Sequence, residues 1–162
     1  MKRLLLMLLC AALLVGAAAC QADDAPDNPP DEKEPAAQAT LYLPNENADG
    51  FDTEQVELTE DSPQALVDAL IERGALPEGT QVLDGFDPAA DVPALDLSQP
   101  FGDAMSSTGT AGENMLMGAL VNTFLDYYEK ESISVTVQGQ VIETGNNEYS
   151  QPMGRMDGGP AA

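Results

Sequence analysis

Residues 110–129 read TAGENMLMGALVNTFLDYYE, and residues 133–137 read ISVTV. The first stretch predicts a helix from about Ala111 to Glu129. Thr110 and Glu113 stand at the spacing of a reciprocal capping box, which satisfies two orphan backbone donors of a first helical turn. Behind that start, Leu116, Ala119, Leu120, Thr123, Phe124 and Tyr127 form one stripe, and Met117, Val121, Leu125 and Tyr128 widen it. So broad an apolar face belongs to a helix wedged against a sheet and a neighbour. Its Met and aromatic members read as core rather than as a ligand box. The second stretch is the clearest strand of the chain, with Ile133, Val135 and Val137 inward, and Gly139 permits a turn into Val141-Ile142.

Working outward toward the N-terminus, Ala94-Leu95-Asp96-Leu97 alternates as a strand and runs out at Pro100-Phe101. Gly102 to Gly109 reads as a small polar loop. Thr80-Gln81-Val82-Leu83 predicts a strand that pairs antiparallel with 94–97 through the Asp87 to Val92 connection. Before it lies a helix with complete punctuation: Ser62 as N-cap, Pro63 at the first helical position, Arg73 near the end and Gly74 just past it. Leu66, Val67, Leu70 and Ile71 share one side of that helix, with Asp68 and Glu72 opposite. Leu41-Tyr42-Leu43 and Gln55-Val56-Glu57-Leu58 predict two half-buried or edge strands. The order strand, strand, helix, strand, strand, helix, strand predicts an α+β fold: a small mixed β-sheet with two helices packed on it, in a single domain.

The ends differ in kind. Met1-Lys2-Arg3, the apolar run Leu4 to Val15 and the small residues Gly16 to Ala19 form a secretory leader, too short and one-sided for a stable span. Ala17-Ala18-Ala19-Cys20 resembles a bacterial lipobox, with Ala17 where Leu is usual, so Cys20 is the expected lipidation site and residues 1–19 a cleaved signal peptide. Cys10 lacks the small residues and leaves with the leader, so the mature chain keeps no free thiol and neither disulfide nor redox chemistry. Residues 20–39, rich in Asp, Glu and Pro, are expected to form a disordered stalk, because no large apolar side chain offsets its ordering entropy. Such a segment reaches at most about 55 Å when extended. Residues 40–144 then form the domain. Residues 145–162, poor in apolar side chains, are expected to fray as a flexible tail.

Composition narrows the function. The 162 residues carry 28 Asp and Glu against 6 Lys and Arg, a formal charge of −22. That excess repels phosphate backbones and excludes nucleic acid as a partner. Lipid rather than charge must then hold the protein to a membrane. There is no His, which removes the usual general base and the commonest zinc ligand. Carboxylates are the remaining catalytic currency, and Asp84, Asp87, Asp91 and Asp96 are the densest set. A glycosidase would hold two of them roughly 5 to 10 Å apart between aromatic walls, and the chain has no Trp. The same acids lack the alternating order of a calcium loop, so no metal or other cofactor is expected. Ser106-Ser107-Thr108 has no activating base.

Residues 40 to 144 resemble the GerMN domain family of sporulation and spore-germination lipoproteins. The resemblance lies in Leu41-Tyr42-Leu43-Pro44, in Ser62 to Leu70, in Leu76-Pro77-Glu78-Gly79-Thr80-Gln81-Val82-Leu83, and in Ala94 to Ser98. It continues through Ala119 to Leu125 and Val135 to Gly139. The chain carries one copy where the germination protein has two, and it is more acidic. Asp96, Asn122 and Thr123 are the polar residues that match the family pattern best, and a structural role is expected for each. The resemblance implies a non-catalytic binding or scaffold domain on the extracytoplasmic face of the cell membrane, associated with sporulation, germination or envelope processes. Its expected partners are the membrane, through the lipid, and another envelope protein met through a sheet edge or helix face. The rival reading is a carboxylate-dependent cell-wall hydrolase or accessory factor, with Asp84, Asp87 or Asp96 as acid and base.

Overall fold

Strand β1 (Ala37–Pro44) and strand β2 (Phe51–Leu58) pair antiparallel along their whole length, Ala37 opposite Leu58 and Pro44 opposite Phe51. In this computed structural model, which describes residues 36–83 and 85–157, the hairpin is one face of a single folded body. Alternation explains it: Ala39 and Leu41 point inward and are buried, while most of β2 faces solvent. The first strand thus begins at Ala37, three residues before the expected domain boundary, because Ala37 to Ala39 find partners in Val56 to Leu58. Residues 1–35, which include the leader, Cys20 and most of the stalk, lie outside the described residues, as does Asp84.

Helix α1 (Pro63–Glu72) forms as its punctuation predicts. The Ser62 hydroxyl accepts the Ala65 N–H at 3.2 Å. Gly74 closes the other end at φ +71°, a left-handed conformation that glycine adopts without the Cβ penalty. Leu66, Val67 and Leu70 are buried, and Asp68 and Glu72 are exposed.

Helix α3 (Thr110–Tyr127) is the centre of the molecule. From Glu113 to Leu125 only Leu116 escapes full burial. A helix apolar on all sides must be enclosed: β1 lies along it, and α1 packs on it. Gly118 marks the closest approach, since the Phe51 ring occupies the space a Cβ at 118 would need. The expected capping box does not form. Gly109 is the N-cap, with its carbonyl accepting the Glu113 N–H at 2.9 Å, and the Glu113 side chain turns away to a distant loop.

The second sheet joins β3 (Ala94–Leu97), β4 (Ser134–Val137) and β5 (Gln140–Val141). β3 and β4 run parallel, Leu95 opposite Val135, and β5 returns antiparallel through Gln138 and Gly139, both at positive φ. The class is therefore the predicted α+β with a mixed sheet, but the strands divide into two sheets, β1-β2 and β3-β4-β5. Residues 80–83 contribute a single antiparallel bridge, Val82 to Leu97, rather than a strand. The pairing direction is as expected, and Leu83 N–H to Asp96 O (2.8 Å) and Ser98 N–H to Gln81 O (2.9 Å) flank it.

Two further expectations are corrected. Residues 99–107, read largely as a polar loop, form helix α2 (Gln99–Ser107), because Phe101 and Met105, one turn apart, both enter the core while Asp103, Ser106 and Ser107 turn to the surface. Pro100 sits in its first turn, where a missing N–H costs nothing. Residues 145–157 do not fray. Met153 exchanges two backbone hydrogen bonds with Ile133 (2.8 and 2.9 Å), and Tyr149 N–H donates to Ile142 O at 2.9 Å. Residues 158–162 lie outside the described residues.

Candidate functional site

Of the carboxylates singled out in the sequence, the described ones, Asp87, Asp91 and Asp96, form no common site. Asp87 is exposed and its Oδ1 accepts the Ala89 N–H at 2.9 Å, an ordinary turn contact. Asp91 is also exposed. Asp96 is committed to the sheet: its Oδ1 accepts from the Thr136 hydroxyl at 2.7 Å and from the Gly139 N–H at 2.8 Å, which ties β3 to β4 and to the turn after it. Among the described residues no three Asp or Glu side chains are grouped to hold a metal ion. Ser107 donates to the Ala104 carbonyl at 3.0 Å within α2, and Thr108 caps that helix.

Asn122 and Thr123, both buried in α3, hold neighbouring backbone. Asn122 makes two 2.8 Å hydrogen bonds to the Met156 N–H and C=O. Thr123 Oγ1 accepts the Tyr42 N–H of β1 at 3.0 Å. These three polar residues serve the fold.

Glu113 is a feature the sequence reading placed wrongly. Its carboxylate is fully buried beneath a thin cover, the 144–149 loop. Asn146 Nδ2 donates to Oε1 at 2.8 Å, Asn147 Nδ2 to Oε2 at 2.7 Å and the Tyr149 hydroxyl to Oε2 at 3.3 Å. Burial alone pushes the carboxyl up, but the combined hydrogen bonds from Asn146, Asn147, Thr144 and Tyr149 outweigh it and hold the group below its ordinary value. Through these contacts the charge pins the loop.

Open space and chemistry coincide at the far end of α3. There Phe86, Phe124, Tyr127 and Tyr128 pack edge-on or tilted against one another, with centroid separations of 4.9 to 5.9 Å between neighbouring rings. Phe86, Tyr127 and Tyr128, with Pro63 and Pro88, line a groove of about 550 Å³ whose polar members are Asp61 and Glu129. The Tyr127 hydroxyl donates to Asp61 Oδ1 at 2.6 Å. Burial, then that hydrogen bond and the charge of Asp61, push the Tyr127 phenol well above its ordinary value. Burial and the same charge raise Tyr128 to about 12. Both rings therefore stay neutral donors and apolar surfaces at physiological pH. The only sequence signal for this groove was the Tyr-Tyr doublet at the end of the helix, which reads as core by period alone. Two further hollows are lined mainly by polar surface residues: one of about 370 Å³ between β2 and α1, one of about 250 Å³ between α2 and β5.

Comparison with known proteins places this geometry. Residues 40–143 match the Germane family, described as sporulation and spore germination. The first GerMN domain of the sporulation protein GerM from Bacillus subtilis superposes with a TM-score of 0.55 at 17% identity, over 74% of this chain and 98% of that one. The tandem GerMN domains of the same protein give a TM-score of 0.56 at 17% identity, over 73% of this chain and 46% of that one. A candidate lipoprotein from Clostridium perfringens gives 0.44 at 21% identity, over 73% of this chain and 87% of that one. No curated protein matches the sequence. At these identities the GerM likenesses are likenesses of fold.

Proposed function

Because this chain belongs to the Germane family of sporulation and spore germination, we propose that it is a lipoprotein of the extracytoplasmic membrane face whose domain acts by contact and not by catalysis. The observation that carries the contact reading is the fate of the domain's interior polar groups. Glu113, Asn122 and Thr123, with Asp96 between the strands, each hold backbone or a loop amide, and none faces a cleft with a second carboxylate. Acid and base roles need two such groups on one substrate. The two carboxylates that do share a groove, Asp61 and Glu129, depart from that arrangement only in that Asp61 already accepts the Tyr127 hydroxyl, so the wall assay covers them as well.

Anchoring rests on Ala17-Ala18-Ala19-Cys20. Acyl chains on Cys20 contribute about 0.8 kcal/mol per buried CH₂, enough with two or more chains to outlast repulsion between an acidic protein and anionic headgroups. The acidic, proline-rich residues that follow act as a spacer, which keeps the domain within tens of ångströms of the bilayer. Among the described residues no helix is long and apolar enough to cross a membrane. The domain then meets another envelope protein in sporulation, germination or a related envelope process.

Two measurements test this reading. Fatty-acid labelling and fractionation should mark the wild-type chain in the membrane fraction and lose both signals in Cys20→Ser. Incubation of the protein with purified cell wall should release no fragments above background. Release abolished by Asp96→Asn would replace the contact reading with the hydrolase.

A further inference from the structure

We infer that the groove between Asp61 and Glu129 receives a lysine or arginine side chain from an extended segment of a partner protein, laid across the Phe86, Tyr127 and Tyr128 rings. The inference rests on the reading that the domain acts by contact, and it names the surface and the chemistry of the partner.

The lining combines three aromatic rings with two carboxylates and no cation. An apolar occupant would cover the rings but strip water from Asp61 and Glu129 without replacing it. An anion would meet two negative charges at the mouth. A guanidinium or ammonium satisfies both halves at once, because ring faces attract cations and carboxylates accept their N–H groups.

The molecule already uses this arrangement internally. Arg155 lies 4.9 Å from the centre of the Tyr42 ring and pairs with Asp126 at 3.5 Å. The groove presents the same ring-plus-carboxylate set with the cation left to come from elsewhere. Every described cation is occupied: Arg73 by Glu54 and Glu72, Arg155 by Asp126, and Lys130, beside Glu129 in sequence, by the Ala90 carbonyl at 2.9 Å. With a formal charge of −22, the surrounding field attracts a basic segment as well. A volume of about 550 Å³ accommodates one long side chain with its flanking backbone.

The test uses the full chain carrying Cys20→Ser, titrated calorimetrically and by NMR at physiological ionic strength. The probes are a proline-spaced di-arginine peptide, the same peptide with glutamate for arginine, and chitotetraose as a neutral sugar. The arginine peptide should bind saturably and shift the Tyr127 and Tyr128 ring signals, and the glutamate peptide should not bind. Asp61→Asn and Glu129→Gln should each weaken binding about tenfold. Glu129 is exposed, so its variant keeps the test valid if loss of the Asp61 contact to Tyr127 disturbs folding. Asp103→Asn, an exposed acid on α2, should leave affinity unchanged. Equal weakening by Asp103→Asn would reduce the effect to bulk charge and overturn the inference. So would binding of chitotetraose in place of the peptide, or no binding by any probe. None of those outcomes touches the anchored-domain reading, which fractionation and the wall assay decide separately.

Discussion

Asn122 and Met156 exchange two hydrogen bonds, from Asn122 Nδ2 to the Met156 carbonyl and from the Met156 N–H to Asn122 Oδ1, both 2.8 Å. A side-chain amide in the middle of a helix thus does for the C-terminal segment what a strand edge would do. Arg155 adds its contacts to Tyr42 and Asp126 beside it. Asn122→Ala leaves both Met156 groups without that partner and should cost about 1–3 kcal/mol. Denaturant unfolding reads the loss, and hydrogen exchange should quicken first at 153–157. Unchanged exchange there would show that Asn122 does not hold the segment.

Glu113 makes stability depend on acid. Its folded pKa is lowered, so its contribution is fully present above the unfolded carboxylate value of about 4.3 and is lost as pH falls through the folded value. Glu113→Gln keeps the shape but replaces one acceptor oxygen with a donor that faces an Asn Nδ2, and should cost about 2–3 kcal/mol at neutral pH. The same variant should flatten the fall in stability below pH 4. Parallel acid profiles in the two proteins would refute the assignment.

The tyrosines set the alkaline limit. Burial first, and then the charge of a neighbouring carboxylate, raise Tyr128 and Tyr149 to about 12, and burial with the Asp61 hydrogen bond raises Tyr127 as well. A raised folded pKa means stability that is complete below the unfolded value of about 10 and disappears as pH climbs past it. Ring NMR signals of Tyr128 and Tyr149 should stay in the phenol form at pH 11. A midpoint near 10 for Tyr128 would mean that the groove wall is more open to water than described.

Phe101 tests the helix that composition conceals. Its ring is wholly buried, one turn before Met105. Phe101→Ala should cost about 3–5 kcal/mol by transfer and cavity together. Thermal melting checks it. A cost below 1 kcal/mol would mean that α2 is not anchored in the core.

Legibility followed the range of the interactions. Helix α1 could be read residue by residue, because Ser62, Pro63 and Gly74 act within one turn of where they stand and a core-facing stripe lies between them. The β4 strand and the turn at Gly139 were equally plain, since alternation and positive φ are local demands; the positive φ of Gln138 was not. Helix α2 was not, because Gly102 and the run Ser106-Ser107-Thr108 have weak helix propensity, and two buried side chains override it. The groove was hidden for a related reason: period marks Tyr127 and Tyr128 as inward, but Phe86 and Asp61 come from loops whose position periodicity does not set.

Domain class and the α1 helix are thus written in local order, where each residue acts on neighbours that the chain itself supplies. The use of the polar residues is not. Thr110 and Glu113 had the spacing to cap one another, yet Glu113 bonds side chains 33 to 36 residues away, and Asp61 meets Tyr127 across 66 residues. A near and a distant hydrogen bond are worth about the same free energy. Packing of α3 among its neighbours decides which of the two can form.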